Sequence, residues 1–418
     1  MRILYSILTY IASIVLWIGQ FFSLKLRNFV QGRKTVYSQL RAALPGNDKT
    51  VWFHCASLGE FEQGFPIMEA FKKMLPDYNI VVSFFSPSGF EVKKNSPIAN
   101  TVVYLPLDTP SNATKFINIL NPSLAIFVKY EFWPNYLFEL DKRKIPVLLV
   151  SGLFRKQQIF FKPAGSFMRK ALKTIDHFFV QNTSSEELLK SIQIENVTLS
   201  GDTRFDRVSH QIEQDNTINE IEEFKGNSLC VVCGSTWPED DAVLLDFINM
   251  SSKNIKFVIA PHKIERSKIE ALRNNLTKRS VLFSEISSEE NLKSSNILII
   301  DNVGMLSKIY SYADIAYVGG AMGTTGLHNI LEPATFGIPI IIGKNYSSFP
   351  EAIRLRKIAG LFSVSNKMEC TEILTKLTEN HSFRQKTGMI CEHFVNSNTG
   401  ATKKILEHIS DLHKNGAI

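Results

Sequence analysis

The sequence has few cysteines, and their pattern is not typical of a metal site or a disulfide framework. They are an odd and scattered set, namely Cys55, Cys230, Cys233, Cys370 and Cys391. Cys230 and Cys233 form a C-x-x-C, but no second cysteine pair supplies the other ligands of a structural zinc site. The pair also lies in the strand-like run L-C-V-V-C-G, where residues three apart point to opposite faces. We therefore expect buried, reduced thiols in a reducing compartment.

Acidic residues are absent from the first 47 positions, so the N-terminal segment is strongly basic. Residues 1–50 carry seven Lys or Arg side chains against Asp48 alone, which places +6 of the net charge of +7 in this segment. The remainder of the chain is nearly balanced. This distribution argues against the broad basic face of a nucleic-acid-binding protein, and it favours a basic segment beside a membrane.

A charge-free apolar span follows the N-terminus. Residues 3–22 contain no charged side chain, and a helix of this length, at about 1.5 Å per residue, matches the roughly 30 Å hydrocarbon core of a bilayer. We predict that residues 1–24 form a membrane anchor. A cleaved signal peptide is disfavoured because neither a shorter apolar core nor a small-x-small site is clear, whereas a buried or interfacial helix remains an alternative. The basic residues that follow place the rest of the chain in the cytoplasm, and they are Lys25, Arg27, Arg33 and Lys34.

Apolar, β-prone runs alternate with helical patterns along the rest of the chain. Strands that alternate with helices of about 10–15 residues are typical of βαβ units and predict parallel sheets. The chain of 418 residues is long enough for two domains, each with its own core. The predicted strands are residues 51–54, 80–85, 101–106, 124–128, 147–150 and 197–201 in the first half, and 229–232, 255–260, 297–300, 315–318 and 339–342 in the second.

We therefore predict an α/β protein with two Rossmann-like, doubly wound domains facing a cleft. Residues 35–206 form the N-terminal domain and residues 229–395 the C-terminal domain. Residues 207–228 are polar, lose the strand alternation and are predicted to be the linker. The last helix, within residues 396–418, is expected to cross back to the N-terminal domain.

A glycine-rich loop after the strand 315–318 is the most distinctive stretch of the chain. A helix pattern follows it, in which Asn329 and Glu332 lie three residues apart on one face. A helix that begins at a glycine loop directs free N–H groups at a ligand, which suits a phosphate, and Glu332 can accept hydrogen bonds from a ribose diol. A plain turn that joins a strand to a helix is the alternative. The glycines of the loop are Gly319, Gly320, Gly323 and Gly326.

The strand 51–54 is followed by a strand-to-helix turn that contains Ser57, Gly59 and Glu60. A carboxylate at this position can cap the helix, whose first N–H groups have no partner. Open α/β sheets also place reactive groups here, outside the carboxyl ends of their strands. The turn is not G-x-G-x-x-G, and that fingerprint is missing from both halves, so a nicotinamide oxidoreductase is disfavoured.

Two further segments carry charges beside aromatic residues. Lys129 and Glu131 follow the strand 124–128, where Glu131 can be a solvated cap or a contact to a sugar. Residues 154–173 are basic and aromatic, and contain Lys162 and Arg169. This segment suits an anionic headgroup or an amphiphilic substrate, with a solvated helix face as the alternative.

The motifs occur along the chain in the order H-C-A-S-L-G-E, K-Y-E-F-W-P-N, G-S-T, A-P-H and L-H-N-I-L-E-P-A. With the preceding span and two Rossmann-like halves, this series resembles the 3-deoxy-D-manno-octulosonic acid (Kdo) transferases, membrane-anchored GT-B glycosyltransferases of lipid A biosynthesis. The resemblance implies transfer of Kdo from CMP-Kdo to the lipid A precursor, lipid IVA, in lipopolysaccharide core biosynthesis. It also implies a single N-terminal span in the bacterial inner membrane, with catalytic domains on the cytoplasmic side that contact the lipid surface and no nucleic acid.

The resemblance assigns roles to individual residues. Glu60 matches the family's general base, which would deprotonate the 6′-hydroxyl of the acceptor sugar for an inverting attack on the anomeric carbon. The C-terminal domain would bind CMP-Kdo and the N-terminal domain the acceptor. The loop amides of residues 324–328 would hold the phosphate of CMP. No metal or cofactor is expected, because CMP is a good leaving group once its phosphate is held and because no D-x-D motif is present. The CMP-binding residues would be Pro261, His262, Val303, Gly304, Met305, Asn329, Ile330, Leu331 and Glu332. The residues expected to bind the acceptor are Ser57, Gly59, Lys129, Glu131, Lys162 and Arg169.

The donor motifs depart from the family's usual pattern. Many relatives have Pro-Arg-His where this chain has Pro261-His262-Lys263, and the loop reads G-G-A-M-G-T-T-G in place of G-G-S. Lys263 or Lys344 would have to supply the missing positive charge, without the planar fork of an arginine. Two alternatives remain open, namely another lipid-linked GT-B transferase that uses a UDP-sugar and an inactive membrane-tethered binding protein of the same fold.

Overall fold

The structure is a computed structural model that describes residues 1–44, 46, 49–286 and 289–418, with the side chains of residues 289–291 outside that description. The chain divides into two compact units. Unit 1 comprises Met1–Arg207 together with Thr399–Ile418, and unit 2 comprises Val208–Asn398.

Unit 1 is built on a parallel sheet of seven strands. The strands are β1 (Thr50–Cys55), β2 (Asn79–Phe84), β3 (Thr101–Tyr104), β4 (Leu124–Val128), β5 (Val147–Gly152), β6 (His177–Val180) and β7 (Val197–Leu199). Its helices are α1 (Arg2–Gly19), α2 (Leu24–Gln31), α3 (Val36–Ala43), α4 (Leu58–Met74), α5 (Pro87–Lys93), α6 (Pro110–Leu120), α7 (Pro134–Lys142), α8 (Ser166–Leu172), α9 (Thr183–Lys190) and α10 (Thr203–Ser209), with single 3₁₀ turns at Ile159–Phe161 and Pro163–Gly165.

Unit 2 repeats the architecture with a second parallel sheet of seven strands. The strands are β8 (Leu229–Thr236), β9 (Ile255–Pro261), β10 (Ser280–Leu282), β11 (Ile297–Ile299), β12 (Ile315–Val318), β13 (Ile340–Ile342) and β14 (Leu361–Ser363). The helices are α11 (Asn219–Lys225), α12 (Pro238–Met250), α13 (Arg266–Asn274), α14 (Glu289–Ser294), α15 (Leu306–Ile309), α16 (Leu331–Thr335), α17 (Pro350–Lys357), α18 (Lys367–Glu379) and α19 (His381–Asn396), with 3₁₀ turns at Phe283–Glu285 and Tyr310–Tyr312. The last helix of the chain, α20 (Ala401–Lys414), belongs to unit 1.

The central strands are buried on both faces, as continuous apolar runs in parallel sheets require. In β1, Trp52 belongs to one apolar cluster and its neighbour Phe53 to the other, and both side chains are fully buried. The structure therefore confirms the prediction of two doubly wound parallel sheets. All five cysteines are free and buried, which agrees with the interpretation of Cys230 and Cys233 as core residues.

Each sheet has one place where the chain reverses its direction of winding. The strand order in unit 1 is β3-β2-β1-β4-β5-β6-β7, so the reversal lies between β1 and β4. In unit 2 the order is β10-β11-β9-β8-β12-β13-β14, and the reversal lies between β8 and β12. Open α/β sheets bind ligands in the crevice at the carboxyl ends of such strands. The turns after β1, β4, β8 and β12 are therefore the expected places for ligand-binding residues.

The sequence analysis missed three short strands, β6, β10 and β14. It also assigned residues 207–228 to a linker, and the structure places α11 in that segment, within unit 2. The side chains of Ile221 and Phe224 are buried there, and the N–H of Ile218 donates a hydrogen bond to the hydroxyl of Tyr312 at 2.7 Å.

The helix α1 has the length and composition of a membrane-crossing helix. Its mean hydropathy is 1.6 over residues 2–19, and none of these residues is buried. Among the described residues it is the one helix that meets these criteria.

The helix α20 completes the core of unit 1 from the far end of the sequence. It packs against α4, and Ile405 and Ile409 are fully buried in the same apolar cluster as Phe53. The Asp206 carboxylate accepts hydrogen bonds from the N–H groups of Gly400 and Thr402, which fixes the start of α20.

We predict that Ile405→Ala destabilises the protein, because it removes a fully buried side chain and leaves a cavity. The free energy of unfolding should fall by about 2–5 kcal/mol in chemical denaturation. The matched control on the same helix is Lys403→Ala, whose side chain is exposed and which should change stability by less than about 0.5 kcal/mol. Equal stabilities of the two variants would contradict a core role for α20.

Candidate active site

Glu60 lies in the first turn of α4, directly after β1. Its Oε2 accepts a hydrogen bond from the backbone N–H of Ser57 at 3.0 Å, as expected of an acidic residue three positions into a helix. A cap is usually solvated, whereas the Glu60 side chain is only 5% exposed. The predicted capping role is therefore present, but the burial exceeds what capping requires.

The burial changes the acidity of Glu60. Loss of solvation, followed by the nearby negative charge of Glu131, raises the pKa of this carboxyl to about 7. The N–H of Ser57 and the cation of Lys129 act in the opposite direction and do not cancel the effect. A carboxylate whose pKa lies near neutral pH is suited to accept a proton from a hydroxyl group.

Glu131 is held in place by two aromatic side chains that the sequence analysis gave no role. The indole N–H of Trp133 lies 2.9 Å from Nε2 of His54 and 3.0 Å from Oε2 of Glu131. The imidazole of His54 is completely buried, and its Nδ1 lies 2.8 Å from the hydroxyl of Ser83. His54 comes from β1 and Glu131 from the turn after β4, so this network bridges the two strands at the reversal of the sheet.

Lys129 directly follows β4 and has an unusual backbone conformation. Its φ is +73°, a left-handed conformation that is rare for a residue with a side chain and is often found at functional sites. Its N–H still donates to the carbonyl of Val150 at 2.8 Å. Burial, followed by the charge of Arg204, lowers the pKa of the Lys129 ammonium. Glu60, Glu131 and Lys129 thus form one charged cluster at the carboxyl end of the sheet.

Gly59 marks an open surface in front of this cluster. A Cβ atom at this position would meet no other atom within 4 Å, so packing does not demand a glycine here. The other two basic residues predicted to bind the acceptor, Lys162 and Arg169, lie in a different segment. The guanidinium of Arg169 donates hydrogen bonds to the carbonyls of Phe160 and Lys162 at 2.8 and 2.7 Å, which folds residues 159–169 onto themselves. The hydrogen bonds of Arg169 thus hold its own segment together and do not connect it to Glu60.

In unit 2, three aromatic rings meet at the reversal of the second sheet. Trp237 follows β8, His262 follows β9 and His328 lies in the glycine loop after β12. The rings of Trp237 and His262 stack with centroids 4.6 Å apart, and those of His262 and His328 lie 4.4 Å apart. Burial lowers the pKa of His328 to about 4, and the pKa of His262 is also lowered by burial. Both imidazoles are therefore neutral at pH 7 and present flat faces without charge.

A cavity of about 220 Å³ opens beside this stack. Its walls include Trp237, Pro261 and Lys263, and they are mostly apolar. Burial also raises the pKa of Asp241, on the same wall, to about 7. The run G-S-T-W after the predicted strand 229–232 was the available sequence signal, but the prediction gave Trp237 no role.

Three of the four loop glycines have a structural explanation. A Cβ at Gly319 would lie 2.3 Å from the carbonyl oxygen of Ser235, and Gly320 and Gly326 have φ values of +95° and +98°. The N–H of Gly320 donates to the Asp240 carboxylate at 2.8 Å, so it is not available to a phosphate. Farther along the loop, Thr324 and Thr325 are exposed. The plain-turn interpretation therefore accounts for the first part of the loop, and the second part remains accessible.

The helix after the loop is shorter than its sequence pattern suggests. It comprises only Leu331–Thr335, so few aligned peptide dipoles contribute at its N-terminus. The amide of Asn329 donates to Oε1 of Glu332 at 3.1 Å and so orients that carboxylate. Ile330 and Leu331 are buried in the core, which leaves only their backbone groups for a ligand.

The remaining predicted donor residues lie on an exposed turn after β11. The side chain of Val303 is 86% exposed, Gly304 has a φ of +92°, and Met305 precedes α15. Lys263 is half exposed and lies 4.0 Å from Glu265, while Lys344 is exposed on the turn after β13. Both lysines proposed to replace the missing arginine thus reach solvent.

We predict that Glu131→Gln lowers the pKa of Glu60 below its value of about 7, because it removes the negative charge that opposes ionisation of Glu60. Infrared titration of the carboxyl band, assigned by its loss in Glu60→Gln, measures this change. Glu69→Gln, an exposed substitution on the same helix, is the control and should leave the band's titration unchanged. If Glu131→Gln left the titration unchanged, the two carboxylates would not interact.

Comparison with known proteins identifies the chain's relatives. Residues 30–207 match the family described as 3-deoxy-D-manno-octulosonic-acid transferase (kdotransferase). A 3-deoxy-D-manno-octulosonic acid transferase of Chlamydophila psittaci is 27% identical over 367 residues, which cover 84% of both chains. A bifunctional glycosyltransferase/methyltransferase of Fusobacterium nucleatum subsp. nucleatum is 28% identical over 417 residues, which cover 93% of this chain but only 62% of that longer protein.

Similarity among solved structures supports the fold. The UDP-GlcNAc 2-epimerase of Neisseria meningitidis, solved with UDP-GlcNAc, superposes on 87% of this chain and 100% of its own with a TM-score of 0.63 and 15% identity. At this level of identity the likeness shows the fold alone, which is GT-B. Residues 30–207 thus match the Kdo transferase family, and over most of its length the chain is similar to curated Kdo transferases.

Proposed function

We propose that this enzyme transfers Kdo from CMP-Kdo to the lipid A precursor, lipid IVA, in lipopolysaccharide core biosynthesis. The observation that carries the proposal is Glu60, a buried carboxylate with a pKa of about 7 at the reversal of the first sheet. The family relationship supports the donor, because the curated relatives are named for Kdo transfer.

In the proposed reaction Glu60 acts as the general base. Its carboxylate takes the proton of the acceptor's 6′-hydroxyl while that oxygen attacks the anomeric carbon of Kdo, and the bond to the CMP phosphate breaks with its electron pair retained by CMP. The configuration at the anomeric carbon inverts. The N–H of Ser57 fixes one carboxylate oxygen of Glu60, and Glu131 keeps the group basic enough to accept a proton.

The acceptor sugar would lie over the open surface at Gly59. Ser57, Lys129 and Glu131 border the same carboxyl end of the sheet and are proposed to position its polar groups. Lys129 is partly buried, which lowers the pKa of its ammonium group, and this lysine would orient an anionic group of the acceptor. Lys162 and Arg169 remain predicted contacts to a more distant part of the acceptor.

Unit 2 is proposed to bind the CMP portion of the donor. Glu332, oriented by Asn329, would accept the ribose hydroxyls, and the exposed end of the glycine loop would receive the phosphate with Lys263 or Lys344. Pro261, His262 and the turn Val303–Met305 complete the proposed donor residues. The uncharged rings of His262 and Trp237 offer a flat face to the base. No metal enters this mechanism, since CMP leaves once its phosphate is held.

The proposed location is the bacterial inner membrane, with both units on its cytoplasmic side. The apolar helix α1 and the basic residues that follow it support attachment to that surface.

We predict that Glu60→Gln lowers kcat by about 10²–10⁴-fold, because the amide cannot accept the proton of the acceptor hydroxyl. Mass spectrometry of a tetraacyl lipid A precursor incubated with CMP-Kdo measures the product. The wild-type rate should rise with pH through about 7, as the Glu60 carboxylate forms, and the variant should lose this limb.

Glu69→Gln is the matched control on the exposed side of α4 and should retain the wild-type rate and pH profile. Full activity of a folded Glu60→Gln variant would contradict the proposed role of Glu60 as the general base. Lack of transfer by a wild-type protein that binds CMP would mean that the acceptor is wrong.

We predict that Glu332→Ala weakens the binding of CMP by about 10–100-fold, since hydrogen bonds to a charged group contribute roughly 1.5–3 kcal/mol. Isothermal titration calorimetry gives the dissociation constant. Glu372→Ala, exposed on α18, is the control. A parallel titration with UMP tests the alternative donor class, and tighter binding of UMP than of CMP would favour a UDP-sugar.

A further inference from the structure

The helix α1 has two opposite faces with different surroundings. Among its residues, Tyr5, Thr9, Ser13 and Leu16 are partly shielded, and Gln20, which follows the helix, is buried. These positions are three or four residues apart and therefore lie on one face. Most of the polar residues of the apolar segment thus face the protein.

The opposite face is apolar and open. Ile3, Ile7, Ile11, Ile14 and Ile18 repeat at the same helical spacing and are between 48% and 78% exposed. An uncovered apolar stripe of this length on a soluble surface is unfavourable, and it is typical of a surface that meets lipid or another protein. The polarity of the helix is therefore the reverse of an ordinary surface helix, which turns its apolar face to the core.

Hydrogen bonds fix α1 to the rest of unit 1 near the helix N-terminus. The hydroxyl of Tyr5 donates to Oδ2 of Asp108 at 2.7 Å, and that of Tyr10 donates to the hydroxyl of Ser111 at 3.1 Å. The ring of Tyr5 also lies 5.3 Å from that of Phe167. Asp108 is only 3% exposed, and its carboxylate also accepts hydrogen bonds from backbone N–H groups at the start of α7. Tyr5 therefore contacts a buried residue that holds α7 in place.

These contacts are incompatible with a helix that crosses a bilayer away from the unit. Tyr5 and Gln20 are separated by about 22 Å along a helix at 1.5 Å per residue. A crossing would carry Tyr5 to the far side of the membrane, while the unit that contains Asp108 stays at the near side. The Asp108 carboxylate would then lose the hydrogen bond that the Tyr5 hydroxyl donates to it.

Basic residues lie beside both ends of α1. Lys25 and Arg27 follow its C-terminal end on α2 and are exposed. At its N-terminal end, Tyr5 contacts Phe167 of α8, the helix that also carries the exposed Lys170. A crossing helix usually has its positive charges at the cytoplasmic end, whereas a helix in the interface meets anionic headgroups along its whole length.

We propose that α1 lies in the plane of the membrane, with its isoleucine face in the lipid, its polar face against unit 1 and basic residues on anionic headgroups at both ends. This orientation replaces the single crossing predicted from the sequence, and it does not depend on the donor or the reaction. The bilayer is the occupant of the open face. The helix and Glu60 also share the carboxyl edge of the first sheet, since Asp108 follows β3 and Glu60 follows β1.

Cysteine labelling of the full-length protein in membranes tests the orientation. All five native cysteines are buried, so an introduced cysteine is the accessible one. One variant carries an uncharged Gly-Ser-Cys extension before Met1, and the reference variant is Met389→Cys, whose side chain is 68% exposed in unit 2. A membrane-impermeant maleimide is applied to sealed right-side-out and inside-out vesicles from a Gram-negative host.

An in-plane helix gives labelling of both variants from the same side. Labelling of the extension only from the side opposite to Met389→Cys means that α1 crosses the membrane, and it overturns the proposal. Recovery of the protein in the soluble fraction, or as a dimer that does not bind vesicles, overturns it as well, because the apolar face would then not meet lipid.

A vesicle-binding measurement tests the contribution of charge. Substitution of Lys25 and Arg27 by Gln should weaken binding to vesicles with 30% anionic lipid by about tenfold or more, at roughly 1 kcal/mol per charge. Lys403→Gln, exposed on α20, is the control and should leave binding unchanged. Equal binding by the double variant and the control would contradict a contact of Lys25 and Arg27 with the anionic headgroups.

Discussion

The arrangement of both candidate sites depends on one constraint, the hydrogen bonding of two parallel strands whose following connections turn in opposite directions. In unit 1 these strands are β1 and β4, and in unit 2 they are β8 and β12. Because the chain leaves the two strands in opposite directions, a crevice forms at their carboxyl ends. Glu60 and Glu131 border the first of these spaces, and Trp237 and His328 border the second.

Within unit 1 the chemistry follows from a balance of opposing electrostatic effects. Burial and the charge of Glu131 favour the protonated form of Glu60, while the N–H of Ser57 and the ammonium of Lys129 favour the carboxylate. The network of Trp133, His54 and Glu131 matters for this balance because it fixes the second carboxylate at a constant place. A base of ordinary acidity would be fully ionised at neutral pH but a weaker proton acceptor.

Much of the fold could be predicted because central parallel strands are continuous apolar runs, and β1, β4, β8 and β12 are of this kind. The strands β10 and β14 were missed because they lie at sheet edges and contain only three residues each. Glu60 could be predicted because its position after a strand is a local property. The link between His54 and Trp133 could not, since it depends on which strands are neighbours. The role of Gly319 was also hidden, because the atom that excludes a side chain there belongs to Ser235, far away in the sequence.

The return of α20 to unit 1 has a consequence for how the protein is made. Most of unit 1 precedes unit 2 in the sequence, but its apolar cluster is completed by Ile405 and Ile409, which are synthesised after unit 2. Throughout synthesis of unit 2, the surface of α4 that α20 covers is therefore exposed. Unit 2 has all its residues in one continuous stretch and is free to fold first. The unit that starts first is therefore completed only after the whole of unit 2 has been made.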